Sequence, residues 1–411
     1  MITVKKYNIK ELVIIILPLV VFSNFFNYRE LVLNPMATYA IAFIELIFFV
    51  LCLPCMMKFK DNLSVCVRNI LFLFVGSIFV GMIVSGQSIT SGLTFTCRVL
   101  TFCVYFWLMK FRVSSRSVVQ VIWIMVVLYT ICWISSLLTY PNHSFGYFNN
   151  WEAYGEGGLE QRGIIRLDVP GVELLACVIF YSLYMRSINK KYIFLLIILF
   201  IILLLQGART PFFVTFILCA LYLVWHSKLR KTIIISGTIL ILLMNSFLIN
   251  LIIDSKSDNI LIRYLQLTYE QIFESDEEDV RIKMSEYYFF DYNDNIIQVF
   301  LGNGIPTSDS DYGRSIENNK TFKKYFLSDV SYPLIYIYYG LLGLILYTNL
   351  LYTVIKMKVT PQYEFSKLFA FFFFLVSFAG RYIVFNSMFM ALGLYLMSMN
   401  RGKSMVRENY K

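Results

Sequence analysis

The chain has 411 residues, of which 58% are hydrophobic and only 15% are charged, and its formal net charge is +10. Soluble domains carry about a quarter charged residues, so this composition excludes an ordinary soluble protein. Apolar runs of about 20 residues, enough for a helix to cross a bilayer, recur along the chain. Because a helix satisfies its own backbone hydrogen bonds in lipid, we expect an all-α, polytopic integral membrane protein.

The apolar runs predict about twelve transmembrane helices. No small-residue cleavage site follows the first run, and we interpret it as a retained span rather than a signal peptide. The predicted spans cover residues 9–27, 35–57, 69–86, 90–109, 117–138, 169–186, 191–206, 210–226, 232–253, 330–355, 365–380 and 382–400.

The basic residues predict the orientation of these spans. Most of the 36 lysine and arginine residues fall on one side, in the two termini and in every second connection between spans. By the positive-inside rule that side is cytoplasmic, and both termini lie there. The positive net charge is therefore a signal of topology, and nucleic-acid binding is not predicted.

Two connections on the outer side are longer than the other links between spans, and they differ in size. The sequence thus divides into residues 1–253, with nine spans and a short outer loop at 139–168, a large outer loop at 254–329, and residues 330–411, with three spans and a cytoplasmic tail. Two pieces of the large loop, "NILIRYLQLTYEQIF" and "EDVRIKMSEYYFFDYNDNIIQVF", have apolar residues at three- and four-residue spacing. That spacing predicts amphipathic helices that lie on the bundle.

The eight cysteines and two histidines predict neither a disulfide framework nor a metal centre. Seven cysteines fall within predicted spans, and Cys66 is expected in a short loop. Cys52 and Cys55 form a CxxC pair, but no second pair or histidine lies near it. We therefore expect no metal and no cofactor.

Several arginines fall on the outer side, where the topology disfavours positive charge. Arg209 stands in the turn "QGARTP" between two spans, Arg162 and Arg166 precede a span, and Arg281 and Arg381 lie further along the chain. Such an arginine can be a snorkelling anchor for lipid phosphate. A cluster of guanidinium groups would instead bind a diphosphate in bidentate fashion and stabilise it as a leaving group without a metal.

Arg98 is predicted within a span, where a charge usually has a partner. Glu45 and Glu173 also fall within spans. A structural ion pair between Arg98 and Glu45 and a role for Arg98 in a lipid-phosphate pocket are both open.

The stretch "LSDVSYPLIYIYYGLLGLILY" (residues 327–347) opens the tenth predicted span. Asp329 is a candidate helix N-cap, or a group that orients or deprotonates a sugar hydroxyl. Tyr332, Tyr336 and Tyr339 share one helix face, either as an interfacial belt or as rings that stack on sugars. Upstream, Gly302 and Gly304 form a GxG turn, which by itself is a weak signal.

Four motifs occur in a fixed order: "RGIIRLDVPG" before a span, the turn "GART", "DVRIKMSEYYFF" followed by "FLGNGIP", and "SDVSYPLIYIYYGLLGLILY". In this order and topology the chain resembles the O-antigen polymerase and O-antigen ligase superfamily. The resemblance implies a metal-independent glycosyltransferase bundle of the C type in the bacterial inner membrane, with its active site facing the periplasm. By this resemblance, Arg166, Arg209 and Arg281 match the arginines that hold the polyprenyl diphosphate, and Arg98 and Arg162 match less closely.

The resemblance also implies a reaction. The growing chain on undecaprenyl diphosphate is transferred to a fresh lipid-linked repeat unit, with a flippase and a chain-length regulator of the same pathway as partners. The ligases carry a histidine where this chain has Asp329, which favours a polymerase and leaves the catalytic base open. A ligase, a capsule or common-antigen polymerase, and a lipid-linked oligosaccharide flippase remain alternatives. The absence of an internal repeat and the large loop at 254–329 count against a flippase.

Overall fold

The computed structural model describes residues 8–139, 142–148, 167–206, 209–226, 280–380 and 382–399. In chain order its helices are α1 (Ile9–Phe22), α2 (Pro35–Lys58), α3 (Asn62–Ser85), α4 (Ile89–Phe111), α5 (Ser115–Leu138), α6 (Val172–Met185), α7 (Lys191–Leu205), α8 (Arg209–His226), α9 (Val280–Glu286), α10 (Ile296–Leu301), α11 (Asp311–Phe322), α12 (Ser331–Lys356), α13 (Glu364–Val376), α14 (Tyr382–Phe385) and α15 (Ser387–Met399). Shorter helical turns lie at Asn24–Asn27, Arg29–Leu33, Tyr287–Asp291, Leu327–Asp329, Pro361–Tyr363 and Ser377–Ala379.

The expectation of a helical membrane protein is confirmed at this coarse level. Helices α2, α3, α4, α5 and α12 are long and apolar enough to cross a membrane, and α6, α7, α8 and α15 are shorter apolar helices. The predicted span at 232–253 lies outside the described residues, so the number twelve stays a prediction.

The predicted loop position of Cys66 is wrong, because α3 begins seven residues before the predicted apolar run. Asp61 caps the helix by accepting a hydrogen bond from the Ser64 backbone N–H at 3.2 Å. The Ser64 hydroxyl lies 3.0 Å from the Tyr105 hydroxyl, so this polar first turn is satisfied inside the protein. Cys66 is consequently buried, with its Sγ 3.4 Å from Thr353 Oγ1 of α12.

Two helices form the centre of the bundle. Almost every described side chain of α6 and α15 is buried, and both pack against α13 or its neighbours. A helix that is hydrophobic all round belongs in an interior. The outer helices instead expose large apolar side chains, such as Phe43, Phe79 and Ile131, as a surface in contact with lipid would require.

One end of the bundle, the basic end, is formed by the links at 59–61, 112–114, 186–190 and 357–363. Polar contacts join these links to each other and to the first helix. The Ser114 hydroxyl donates to Glu11 Oε2 at 2.7 Å, and the Tyr363 hydroxyl donates to Ser115 Oγ at 3.0 Å.

The opposite end, the loop end, carries the segment 280–330 and the turn at 86–88. Among the described residues, β1 (Tyr147–Phe148) and β2 (Leu167–Asp168) pair antiparallel, and the bridge between Tyr28 and Phe145 joins the β1 region to the link after α1.

Helix α12 is broken at Gly340, and the segment 300–304 crosses it there. Gly340 has φ 64° and ψ −164°, a conformation that is essentially restricted to glycine. The break exposes carbonyl groups of the first half of α12, and the loop segment uses them. Asn303 N donates to Ile337 O at 2.8 Å, and Gly304 N donates to Tyr338 O at 3.0 Å.

Candidate functional site

A cleft of about 420 Å³ opens beside α9 at the loop end. The wall formed by α9 and the turn after it consists of Arg281, Ile282, Ser285, Glu286, Phe289 and Phe290. These residues form two rows at four-residue spacing, and residues four apart share a helix face. The sequence therefore folds into a wall that combines one cation, one carboxylate and two aromatic rings.

The opposite wall comes from elements that are distant in sequence. Val330 lies directly before α12, and Phe378 and Ala379 belong to the turn after α13. Asp329 precedes Val330 and is half-buried, and its carboxylate Oδ1 accepts a hydrogen bond from Ser328 Oγ at 3.3 Å. The structure thus brings Arg281 and the stretch that opens α12 to one cleft.

The interpretation of Asp329 as a helix N-cap is wrong. Val330 occupies the N-cap position of α12, and no side chain caps this helix end. Asp329 instead ends a separate helical turn, Leu327–Asp329, in which its backbone N–H donates to Phe326 O at 2.8 Å. The extended conformation of Val330 rotates the chain between the two elements, so the Asp329 carboxylate cannot cap the first turn of α12.

The cleft has the composition of a site for an amphipathic anion. Its volume is within the usual range of small-molecule pockets. Arg281 and Glu286 are both exposed, and the Ser285 hydroxyl donates to the Arg281 carbonyl at 2.6 Å. A guanidinium group offers a planar fork to phosphate oxygens, while the apolar wall suits a lipid chain.

Arg98 lies at another place in the protein. It lines a second cleft, of about 270 Å³, between the link before α2 and helix α4, and its guanidinium carbon is 5.9 Å from the centre of the Phe95 ring. Arg98 and Glu45 do not form a direct ion pair, since none of the ion pairs within 4.0 Å among the described residues joins them, but their charges still interact at longer range. Glu45 is buried, and its Oε2 has no hydrogen-bond partner among the described residues, whereas Arg98 is exposed.

The three tyrosines of α12 do not form one exposed platform. Tyr332 is half-buried, and its hydroxyl donates to Phe374 O at 2.8 Å. Tyr336 is buried beside Phe289, with 5.4 Å between ring centres, and Tyr339 is fully buried with its ring centre 5.1 Å from that of Phe74. Packing by the loop and by α3 therefore excludes Tyr336 and Tyr339 from stacking on a sugar.

Four of the outer arginines have no described side chain. Arg209 begins α8, but its side chain lies outside the described structure, and Arg162, Arg166 and Arg381 lie outside the described residues altogether. Their predicted grouping around a diphosphate stays a prediction.

A second polar group at the loop end was not predicted from the sequence. The Thr307 hydroxyl oxygen lies 3.0 Å from Gln87 Oε1, and Gln87 Nε2 donates to Asn303 O at 3.4 Å. The backbone N–H of Ser88 donates to Asp309 Oδ2 at 3.3 Å, and the pKa of Asp309 is lowered to about 2, chiefly by a hydrogen bond from Thr307. The glycines and small polar residues of "FLGNGIPTSDSD" were its only signal.

Within the described ranges, no three histidine, cysteine, aspartate or glutamate residues are grouped so that they could hold a metal ion. Comparisons of the chain with family models, with curated proteins and with solved structures found no match.

Proposed function

We propose that this chain is a polysaccharide polymerase of the O-antigen type, which joins oligosaccharide repeat units carried on undecaprenyl diphosphate. One observation carries the proposal: Arg281 and the stretch that opens α12 line the same cleft, although about fifty residues separate them in sequence. These two stretches are among the motifs on which the resemblance to the polymerase and ligase superfamily depends. Both occur in a chain with several apolar helices long enough to span a membrane.

The composition of the cleft supports a lipid-linked anion as the ligand. Arg281 supplies a permanent positive charge, and Phe289, Phe290 and Phe378 supply an apolar surface beside it. Undecaprenyl diphosphate combines an anionic group with a long apolar chain. In this proposal Arg281 acts together with Arg209 and Arg166 on the diphosphate.

The proposed reaction is a single displacement. A hydroxyl of the fresh repeat unit attacks the anomeric carbon of the growing chain, the bond from that carbon to the diphosphate oxygen breaks, and lipid diphosphate leaves. Arginines stabilise the charge that develops on the leaving oxygens more strongly in the transition state than in the ground state. The hydroxyl proton passes to a base, for which Asp329 is the candidate, and the anomeric configuration inverts.

The polysaccharide made by a bacterium that lacks this chain tests the class of function. Loss of a polymerase leaves single repeat units attached to the surface lipid. Loss of a flippase leaves no units on the surface, and loss of a ligase leaves polymer that stays on its lipid carrier. Either of the last two outcomes would reject the proposal.

Lysine substitutions test the arginine roles. We expect Arg281→Lys and Arg209→Lys to lose most of the polymer, because lysine keeps the charge but lacks the bidentate fork. Removal of one group that stabilises an oxyanion typically costs about 10²–10³ in rate. Arg314→Lys is the matched control, since Arg314 lies in the same segment but pairs with Asp311 on α11. The measurement is the length of the polysaccharide ladder at matched protein abundance, and full ladders from both site variants would contradict these roles.

A further inference from the structure

Residues 295–308 form a stretch without a charged side chain, between Asp294 and Asp309. This stretch contains α10 and the turn that docks into the break of α12. Four of the six residues of α10 are large, apolar and exposed: Ile296 is 70% exposed, Ile297 51%, Phe300 53% and Leu301 40%. An exposed apolar patch of this kind marks a surface that is covered by another apolar phase.

The distance along α12 from its end at Lys356 gives the depth of residues 295–308 in the membrane. The Gly340 Cβ position would collide with the backbone of Phe300, so the two residues lie at one level. Gly340 is about 24 Å along the helix from Lys356 at 1.5 Å per residue. A hydrocarbon core is about 30 Å thick. If the hydrocarbon core begins at the level of Lys356, it extends about 6 Å past Gly340 and Phe300. If it begins further along α12 towards Gly340, it extends past them by more.

Helix α3 gives the same depth independently. A Cβ atom on Gly304 would lie 2.8 Å from the carbonyl oxygen of Ser77. Ser77 is about 22 Å from the start of α3 at Asn62, again less than the thickness of the hydrocarbon core. Tilt of either helix shortens these distances along the membrane normal, which places the segment still deeper within the core.

The backbone of this stretch meets the condition for non-helical structure at membrane depth, which is that its polar groups are satisfied inside the protein. Gly302, Asn303, Gly304 and Ile305 are all buried. The backbone N–H groups of Asn303 and Gly304 donate to carbonyls of α12, and Asn303 O accepts from Ser85 Oγ at 3.3 Å.

We propose that residues 295–306 form a re-entrant segment, which dips into the bilayer from the loop end and whose exposed side chains on α10 contact lipid acyl chains. The exposed apolar surface of α10 then continues the lipid-facing surface of the spanning helices. This inference concerns the position of the segment in the membrane and does not depend on the proposed reaction.

Phe322 supplies a matched control on the same segment, 280–330. It is 81% exposed, like the apolar residues of α10, but Lys320, Lys323 and Lys324 surround it in sequence. Three cations within a few residues place Phe322 in water or at the headgroups rather than among acyl chains.

Fluorescence quenching in proteoliposomes tests the proposal. Phe300→Cys and Phe322→Cys are labelled with an environment-sensitive fluorophore, and wild-type protein labelled in parallel gives the background from the native cysteines, of which all but Cys132 are buried. The quenchers are aqueous iodide and phosphatidylcholine with a nitroxide on its acyl chain. We expect the label at position 300 to lose most of its fluorescence to the nitroxide lipid and little to iodide, whereas iodide quenches the label at position 322.

The proposal would be overturned if iodide quenched the label at position 300 as strongly as the label at position 322. It would also be overturned if neither quencher affected the label at position 300. Ile297→Cys carries the same expectation at a second site and replaces Phe300→Cys if that variant does not elute as a single folded species.

Discussion

Asp309 attaches the segment 280–330 to the turn between α3 and α4. Its carboxylate accepts hydrogen bonds from the Thr307 hydroxyl and from the backbone N–H of Ser88. Both bonds favour the ionised form, and the pKa of Asp309 is about 2, below the ordinary value of about 4 for aspartate. Because the folded state has the lower pKa, the ionised carboxylate stabilises the folded state above the ordinary pKa.

We expect Asp309→Asn to lower the apparent melting temperature of the purified protein at pH 7. The contribution of a carboxylate with a lowered pKa is complete above about pH 4 and is lost as the pH falls towards 2. The difference between Asp309→Asn and wild type should therefore shrink over this interval. Asp311→Asn is the control, because Asp311 is almost fully exposed and pairs only with Arg314 among the ion pairs of the described residues. A difference that does not change with pH would contradict the assignment.

The identity of the cleft residues was predicted from the sequence only in part. Arg281 was predicted because a cation on the outer side is unusual for the topology. Glu286 was not, because one carboxylate in an acidic loop gives no signal until the helix places it beside Arg281. Tyr336 was predicted to belong to an interfacial belt or to stack on a sugar. It is buried beside Phe289 of the loop, a contact between residues 47 positions apart that no local pattern contains.

At the scale of elements, the two halves of α12 and the loop segment 300–304 depend on each other. Gly302 and Gly340 share the conformation with positive φ and extended ψ, and a Cβ atom at either position would collide with the opposite backbone. The carbonyls freed by the break would be unsatisfied in the membrane without the donors from Asn303 and Gly304. The GxG signal that is weak in isolation is thus explained by close packing, of Gly302 against the backbone of α12 and of Gly304 against the backbone of α3.

We expect Gly340→Ala to destabilise the protein severely. The unfavourable backbone conformation of the alanine lowers the free energy of unfolding by about 1–3 kcal/mol, and overpacking against Phe300 lowers it by about another 1–3 kcal/mol. Gly86→Ala is the matched control, since Gly86 also has φ 64° but open space around its Cβ position. The cost there is about 1–2 kcal/mol for the left-handed conformation alone. Thermal unfolding of the two variants in detergent is the measurement, and equal melting temperatures would contradict the close approach.

At the scale of the whole molecule, the structure separates a basic end from a loop end. Each end carries an exposed asparagine. Asn189 lies in the link between α6 and α7 at the basic end, and Asn318 lies on α11 at the loop end. By the positive-inside rule we expect the basic end to face the cytoplasm.

We expect a membrane-impermeant maleimide to label Asn318→Cys in intact spheroplasts and to label Asn189→Cys only after the membrane is opened. The physical reason is that lysine and arginine are retained on the side from which the chain inserts. Both variants replace the same residue type at an exposed position, so differences in local reactivity are small. Labelling of Asn189→Cys before the membrane is opened would reverse the orientation and place the cleft in the cytoplasm.

The sequence by itself determined the class of the protein, because apolar length and backbone satisfaction in lipid leave helices as the solution. It also determined the approximate place of most described helices and the uneven distribution of charge between their connections. The tertiary structure decided what lies together: the joining of Arg281 to the start of α12, the separation of Arg98 from that cleft, and the insertion of the GxG turn into the break at Gly340. The physical reason is that hydropathy and helix periodicity are local properties of the chain, whereas a cleft and a helix break are made by contacts between residues far apart in sequence.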